Sequence, residues 1–79
     1  CIIKVEGLYH LYYCVFEDQP QRQYVCHATS TDLTNWTKYP DETFGPDESI
    51  YLLTDWRDPH VIWNEEEKCW WMILCAQDV

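Results

Sequence analysis

The chain has 79 residues, with 14 acidic against five basic side chains and a formal net charge of −9. That balance argues against nucleic-acid binding, which needs a basic face to replace counterions, and disfavours anionic membrane surfaces. No apolar run reaches the length of a membrane-spanning helix, and this length allows at most one small domain.

Aromatic residues make up 16% of the chain, with five Trp and six Tyr, more than a core this small can hide. The rings are expected either to line a binding surface or to pack against a larger body. Residue 1 is Cys rather than Met, so the chain is expected to be a processed or excised piece, and the absence of a signal peptide says nothing about export.

In chain order, residues 1–5 form a short β-branched run, Glu6-Gly7 a turn, and residues 8–16 a long aromatic strand. Its near-continuous hydrophobicity predicts cover on both faces. Residues 17–22 read as a polar loop containing Pro20, and residues 23–28 resume as the antiparallel partner strand. Thr29 to Trp36 carries Ser, Thr and Asp side chains that bond their own backbone into a tight turn, with Leu33 and Trp36 as expected anchors. A short edge strand over residues 36–39 ends at Pro40. Residues 41–54 read as an acidic connecting loop interrupted by Gly45 and Pro46. No segment has a sustained helical period.

After Pro59 the pattern restarts. Residues 61–63 form a short strand, residues 64–68 a turn and residues 69–76 a second long aromatic strand. Ile2-Ile3 corresponds to Val61-Ile62, and residues 9–14 to residues 70–75, after two extra residues in the turn. An internal repeat of about 60 residues, with short strand, long strand, partner and edge strand in each unit, is the mark of a β-propeller blade.

The most chemically loaded stretch is Asp55-Trp56-Arg57-Asp58-Pro59. Pro59 suits the first position of a strand, since it has no N–H, and it favours extended backbone at Asp58. The adjacent Arg57 guanidinium is expected to keep the Asp58 carboxylate charged, fit to face developing positive charge and unsuited to donating a proton. An Asp before a strand also serves as a turn former that bonds its own backbone. Trp56 suits stacking on a sugar ring or packing between sheets. Glu65, Glu66 and Glu67 read as a solvated hairpin turn, and His27 as a hydrogen-bonded structural residue.

The five cysteines are an odd number. Cys14 and Cys26 are expected on neighbouring strands, where a bridge is open to them. Cys69 and Cys75 lie in one strand, roughly 20 Å apart at about 3.3 Å per residue, too far to bond. No cysteine pair stands at zinc-ligand spacing from His10, His27 or His60, and no cofactor is indicated. Ordinary buried thiols in a reducing compartment are expected; this favours the cytoplasm without excluding secretion.

Three stretches carry a family resemblance: residues 7–13, Gly-Leu-Tyr-His-Leu-Tyr-Tyr; residues 27–33, His-Ala-Thr-Ser-Thr-Asp-Leu, with Trp36; and the Asp55–Pro59 stretch followed by Val61, Trp63-Asn64-Glu65-Glu66 and Trp71-Met72. Together they resemble the catalytic propeller of glycoside hydrolase family 32, the β-fructosidases. The first two recur in other five-bladed sugar-active propellers, including arabinoside-type enzymes; the third is more specific.

The resemblance implies an all-β fold, a piece of a five-bladed propeller: one four-stranded antiparallel blade over residues 1–40, a connector over 41–57 and the start of the next blade over 58–79. The remaining blades would come from the same longer chain. It implies retaining cleavage of terminal β-D-fructofuranosyl bonds in sucrose or fructans. Asp58 takes the place of the Asp that stabilises the transition state, with Arg57 and Trp56 as sugar contacts.

The family's Asn-Asp-Pro nucleophile motif and Glu-Cys acid/base motif are both absent from these 79 residues. Retaining hydrolysis needs two carboxylates about 5 Å apart, so these residues alone are expected to be inactive. A non-catalytic carbohydrate-binding propeller is the expectation from a different class.

Overall fold

The computed structural model describes residues 1–19 and 21–79. Pro20, assigned to the first loop from sequence, lies outside the described residues. The fold is all-β, with a four-stranded antiparallel sheet and a two-stranded sheet. Strands β1 (Ile2–Val5), β2 (Leu8–Asp18), β3 (Gln21–Ser30) and β4 (Thr37–Lys38) follow one another as a meander in the order β1-β2-β3-β4. A 3₁₀ turn at Pro40–Glu42 leads on to the second sheet, the hairpin of β5 (Tyr51–Asn64) and β6 (Cys69–Asp78).

Several boundaries differ from the sequence expectation. The polar residues expected in the first loop join the ladder, with Glu17 opposite Arg22 and Asp18 opposite Gln21. Backbone pairing extends a strand wherever both partners stay extended, whatever the side-chain polarity. For the same reason β5 begins at Tyr51, well inside the stretch expected to be connector. Phe44 makes an isolated bridge with Val25, its N–H donating to the Val25 carbonyl at 3.0 Å and accepting in return at 2.9 Å, which ties the connector to β3.

The two hairpins share one register. Ile2 faces Leu11, Ile3 faces His10 and Lys4 faces Tyr9; in the second hairpin Val61 faces Met72, Ile62 faces Trp71 and Trp63 faces Trp70. These are the repeat-equivalent pairs, so the internal likeness in sequence is also a likeness in strand pairing.

Side chains alternate across a strand, which gives each sheet two faces. One face of the large sheet, with Ile3, Val5, His10, Tyr12 and Val25, is turned to the hairpin. The hairpin answers with Val61 and Trp70, which share a cleft with Ile3, Val5, His10 and Tyr12. Val25, Ala28 and Val61, with Pro46 and Pro59, are the buried apolar side chains among the described residues, so the core is thin. A two-stranded hairpin is at best marginal alone, and β5–β6 depends on this packing. The long strand β2 is half-buried on both faces from Leu8 to Cys14, with Trp36 sharing a cleft with Leu11 and Tyr13 on the face away from the hairpin, and its far end is exposed, Val15 at 38% and Phe16 at 53%.

The turn after β3 is held by Asp32 rather than by two anchors. Its carboxylate accepts from the N–H groups of Thr34 and Asn35 at 2.9 and 2.8 Å and from the Asn35 side chain and the Ser30 hydroxyl. Leu33, expected as an anchor, is exposed with φ +66°, whereas Trp36 does pack, over Leu11, Tyr13 and Ala28. All five cysteines are free. Cys1, Cys69 and Cys75 are exposed, contrary to the expectation of buried thiols, because the open sheet faces leave them uncovered.

Candidate functional site

The register of the hairpin slips beside the Asp58 stretch. Arg57 faces Cys75 and His60 faces Ile73, so β5 spends one more residue than β6 between those pairs, which is a β-bulge. The bulge takes up Pro59, whose missing N–H would otherwise break the ladder, and Pro59 is buried. Asp58 has φ +58°, a left-handed conformation that Asp tolerates better than most residues. This corrects the expectation of an extended Asp58 ahead of a strand-opening proline: both residues lie inside β5, and the bulge reconciles them with it.

The bulge turns Asp58 out to an open cleft of about 430 Å³ lined by Asp55, Arg57, Asp58, Cys75, Ala76 and Gln77. Arg57 is not spent on Asp58. Its Nη2 donates to Asp55 Oδ1 and to the Thr54 carbonyl at 3.2 Å. Residues two apart share a face of extended chain, which brings Asp55 and not Asp58 to the guanidinium. Among the described residues no hydrogen bond reaches the Asp58 carboxylate, so it stands exposed in the cleft beside an ion pair. The cleft thus offers one free carboxylate and one cation whose charge is already balanced.

Trp56 leaves this group. Its ring meets Phe44 edge-on, with centroids 6.0 Å apart, and lies 5.3 Å from the Tyr51 ring. Its backbone N–H donates to Gln23 Oε1 at 3.2 Å, and its carbonyl accepts from the Cys14 thiol at 3.8 Å. Of the two roles its sequence position suggested, the geometry supports packing between sheets. The indole N–H is buried without a partner among the described residues. Gln77 and Cys75 carry no motif, and they reach the cleft only because β6 pairs with the bulged end of β5.

A second polar group sits between the sheets. His27, on β3, is 11% exposed along its side chain. Its Nδ1 contacts Glu42 Oε2 from the 3₁₀ turn, and its Nε2 lies 3.0 Å from His10 Nδ1 on β2. Tyr12 and Tyr39 stack on either side of the ring, at 4.5 and 5.1 Å, and the Tyr39 hydroxyl is 2.9 Å from Thr29 Oγ1.

An ionised carboxylate only accepts hydrogen bonds, so His27 Nδ1 donates to Glu42. In the neutral pair His27 Nε2 then accepts from His10 Nδ1–H, leaving the His10 Nε2 lone pair free. Burial, and secondarily the Glu42 charge, raise the Tyr12 pKa above its ordinary value, so its phenol stays protonated. The sequence marked His27 as a hydrogen-bonded residue, and both of its ring nitrogens have partners; Glu42 had no signal, because its place beside His27 follows from the chain reversal at Pro40.

Among the described residues no three His, Cys, Asp or Glu side chains are gathered as a metal site requires, and no helix is long and apolar enough to cross a membrane. The acidic hairpin turn is exposed: Glu65 accepts from Lys68 and, at 2.6 Å, from the Trp63 indole, while Asn64 Oδ1 caps the Glu67 N–H at 2.8 Å. No protein-family model matches the chain, and no curated protein or solved structure matches it.

Proposed function

We propose that these 79 residues are the part of a retaining β-fructosidase-like glycoside hydrolase that carries its transition-state-stabilising carboxylate, Asp58. The reading rests on the likeness of the Arg57-Asp58-Pro59 stretch to the family motif. The single structural observation that supports it is an Asp58 carboxylate with no protein hydrogen bond among the described residues, raised on a bulge into a polar cleft. A carboxylate left without a protein partner is placed to face an oxocarbenium-like state, where positive charge develops on the sugar ring. Arg57, oriented by Asp55, has further N–H donors to offer sugar hydroxyls. Trp56, whose ring lies against Phe44 and Tyr51, is assigned no sugar contact in this reading. The nucleophile, the acid/base and the other blades of a five-bladed propeller would come from elsewhere in a longer chain, and sucrose or a fructan would be the substrate.

One observation favours a second reading, a carbohydrate-binding propeller without catalysis. The other carboxylate in the cleft, Asp55, is held by Arg57, so the cleft has no second free carboxylate to pair with Asp58.

The test is fructose release from sucrose, inulin and levan by the protein that contains these residues, beside its Asp58→Asn variant. Release that falls by orders of magnitude in the variant supports the hydrolase. Sugar binding without release moves the assignment to the binding module, and neither binding nor release overturns both.

A further inference from the structure

Between the large sheet and the hairpin lies a cleft of about 250 Å³, walled by Ile3, Val5, His10 and Tyr12 on one side and by Val61 and Trp70 on the other. Both walls belong to this chain. An apolar cavity of about 150 Å³ is enough to hold benzene, so a single aromatic ring is the size this cleft accepts. Trp70 is braced by the Trp63 ring, which meets it in a T-shaped contact with centroids 5.3 Å apart.

Two of the lining side chains are polar. His10 turns its Nδ1 to His27, a residue outside the cleft lining, at 3.0 Å. Its Nε2 lies across the five-membered ring from that contact, which leaves this edge of the ring to the cleft. The protonation of that edge is set from a distance. Glu42 only accepts, so in the neutral pair His27 carries its proton on Nδ1, and its Nε2 accepts from His10 Nδ1–H. His10 Nε2 is then a lone pair with no protein donor among the described residues.

The second group is the Tyr12 hydroxyl. The Tyr12 ring stacks on His27 at 4.5 Å, and burial, with the Glu42 charge behind it, keeps the phenol protonated. No hydrogen bond uses its O–H among the described residues. The buried side-chain polar atoms without a partner there are Arg22 Nε and Trp56 Nε1, so neither His10 Nε2 nor the Tyr12 hydroxyl is sealed from a ligand. An apolar space with one acceptor and one donor is the usual composition of a small-molecule site.

A hydroxyl on an aromatic ring answers both groups, since it donates through its hydrogen and accepts through its oxygen. We propose that the cleft between the sheets is a binding site for a small phenol, which donates its O–H to His10 Nε2 and accepts from the Tyr12 hydroxyl, its ring held by the apolar side chains and Trp70. The Asp58 cleft shares none of these residues, and the proposal is independent of the sugar-cleaving reading.

The experiment is calorimetric titration of phenol and of anisole into the protein that contains these residues, at pH 8, above the range in which imidazole protonates. Nitrogen-15 NMR of the histidine rings accompanies it. Anisole keeps the ring and the oxygen but has no proton to give. Phenol is expected to bind roughly fivefold more tightly than anisole, as one hydrogen bond allows, and to shift the His10 Nε2 resonance. His10→Phe keeps a flat ring and removes the acceptor, so phenol and anisole should then bind alike. The wild-type comparison stands whether or not that variant folds. Absence of phenol binding overturns the proposal, as do equal wild-type affinities for phenol and anisole or an unmoved His10 Nε2 resonance. A preference for phenol that survives in a folded His10→Phe protein overturns it as well.

Discussion

Arg57 binds Asp55, two residues back on the same strand, and leaves its immediate neighbour Asp58 unpaired. The consequence is a division of labour between two carboxylates in one cleft: one orients the cation, the other faces outward. Both members of the pair are partly exposed, and exposed ion pairs are worth little in stability. Asp55→Ala is therefore expected to cost no more than about 1 kcal/mol in urea unfolding, while releasing the guanidinium. If the hydrolase reading holds, the same variant raises KM for the sugar far more than it lowers the unfolding midpoint. Equal, small effects on both would deny Asp55 an orienting role.

The left-handed backbone at Asp58 separates chemistry from folding. Asn adopts positive φ nearly as readily as Asp, whereas a Cβ-bearing residue without a short polar side chain pays about 1–2 kcal/mol there. Asp58→Asn should leave the urea midpoint close to wild type, and Asp58→Ala should lower the midpoint in step with a loss of about 1 kcal/mol in unfolding free energy. Similar midpoints for the two variants would show that φ at this position is not what constrains the residue.

Acid stability should track the Asp32 turn. Hydrogen bonds from the Asn35 and Thr34 backbone, followed by those from the Asn35 and Ser30 side chains, hold the Asp32 pKa well below the ordinary carboxylate range. Asp47 is lowered by the Ser49 hydroxyl and backbone N–H, and Glu65 by Lys68 and the Trp63 indole. A depressed folded-state pKa means that the unfolded chain binds more protons in the acid range. The stabilisation is then present above about pH 4, the unfolded carboxylate value, and drains away as pH falls below it. Urea midpoints at pH 6 and pH 3 should differ in the wild type and differ less in Asp32→Ala. An unchanged difference would place the acid sensitivity elsewhere.

The tautomers of the histidine pair are open to nitrogen-15 NMR. Above the range in which imidazole protonates, His27 and His10 are both expected as Nδ1–H tautomers, each ring fixed by the acceptor beside it. Glu42→Ala removes the first acceptor, so His27 should shift toward a tautomer mixture, with His10 following. Two rings that each populate a mixture of tautomers would show that the chain of contacts from Glu42 is not formed in solution.

Hairpins, turn residues and the repeat were legible in the chain because they depend on neighbours in sequence. Gly7 after Glu6, the Ser30–Asp32 hydroxyl and carboxylate, and the β-branched and aromatic runs act locally, and the matching residues of the two hairpins pair in matching register. The expected boundaries failed at Glu17–Asp18, where polar residues are drafted into a strand by backbone pairing that side-chain character does not report, and at Tyr51–Arg57, a mixed stretch that becomes strand by pairing with the far end of β6. Asp58, Arg57 and Pro59 were recognisable as a chemical group, yet their conformation was not, because the bulge exists only when β6 lies alongside.

The amino-acid sequence by itself determined that the chain is all-β, acidic and built from repeated hairpins, since strand formation and charge reside in short stretches. Only the tertiary structure decided which faces are covered, and with it the roles of single residues. Arg57 goes to Asp55 because extended chain puts alternate side chains on one face. Trp56 goes inward because the hairpin folds onto the large sheet, and Glu42 reaches His27 because the chain reverses at Pro40. Each of these outcomes depends on which surfaces meet, a property of packing that no local stretch encodes.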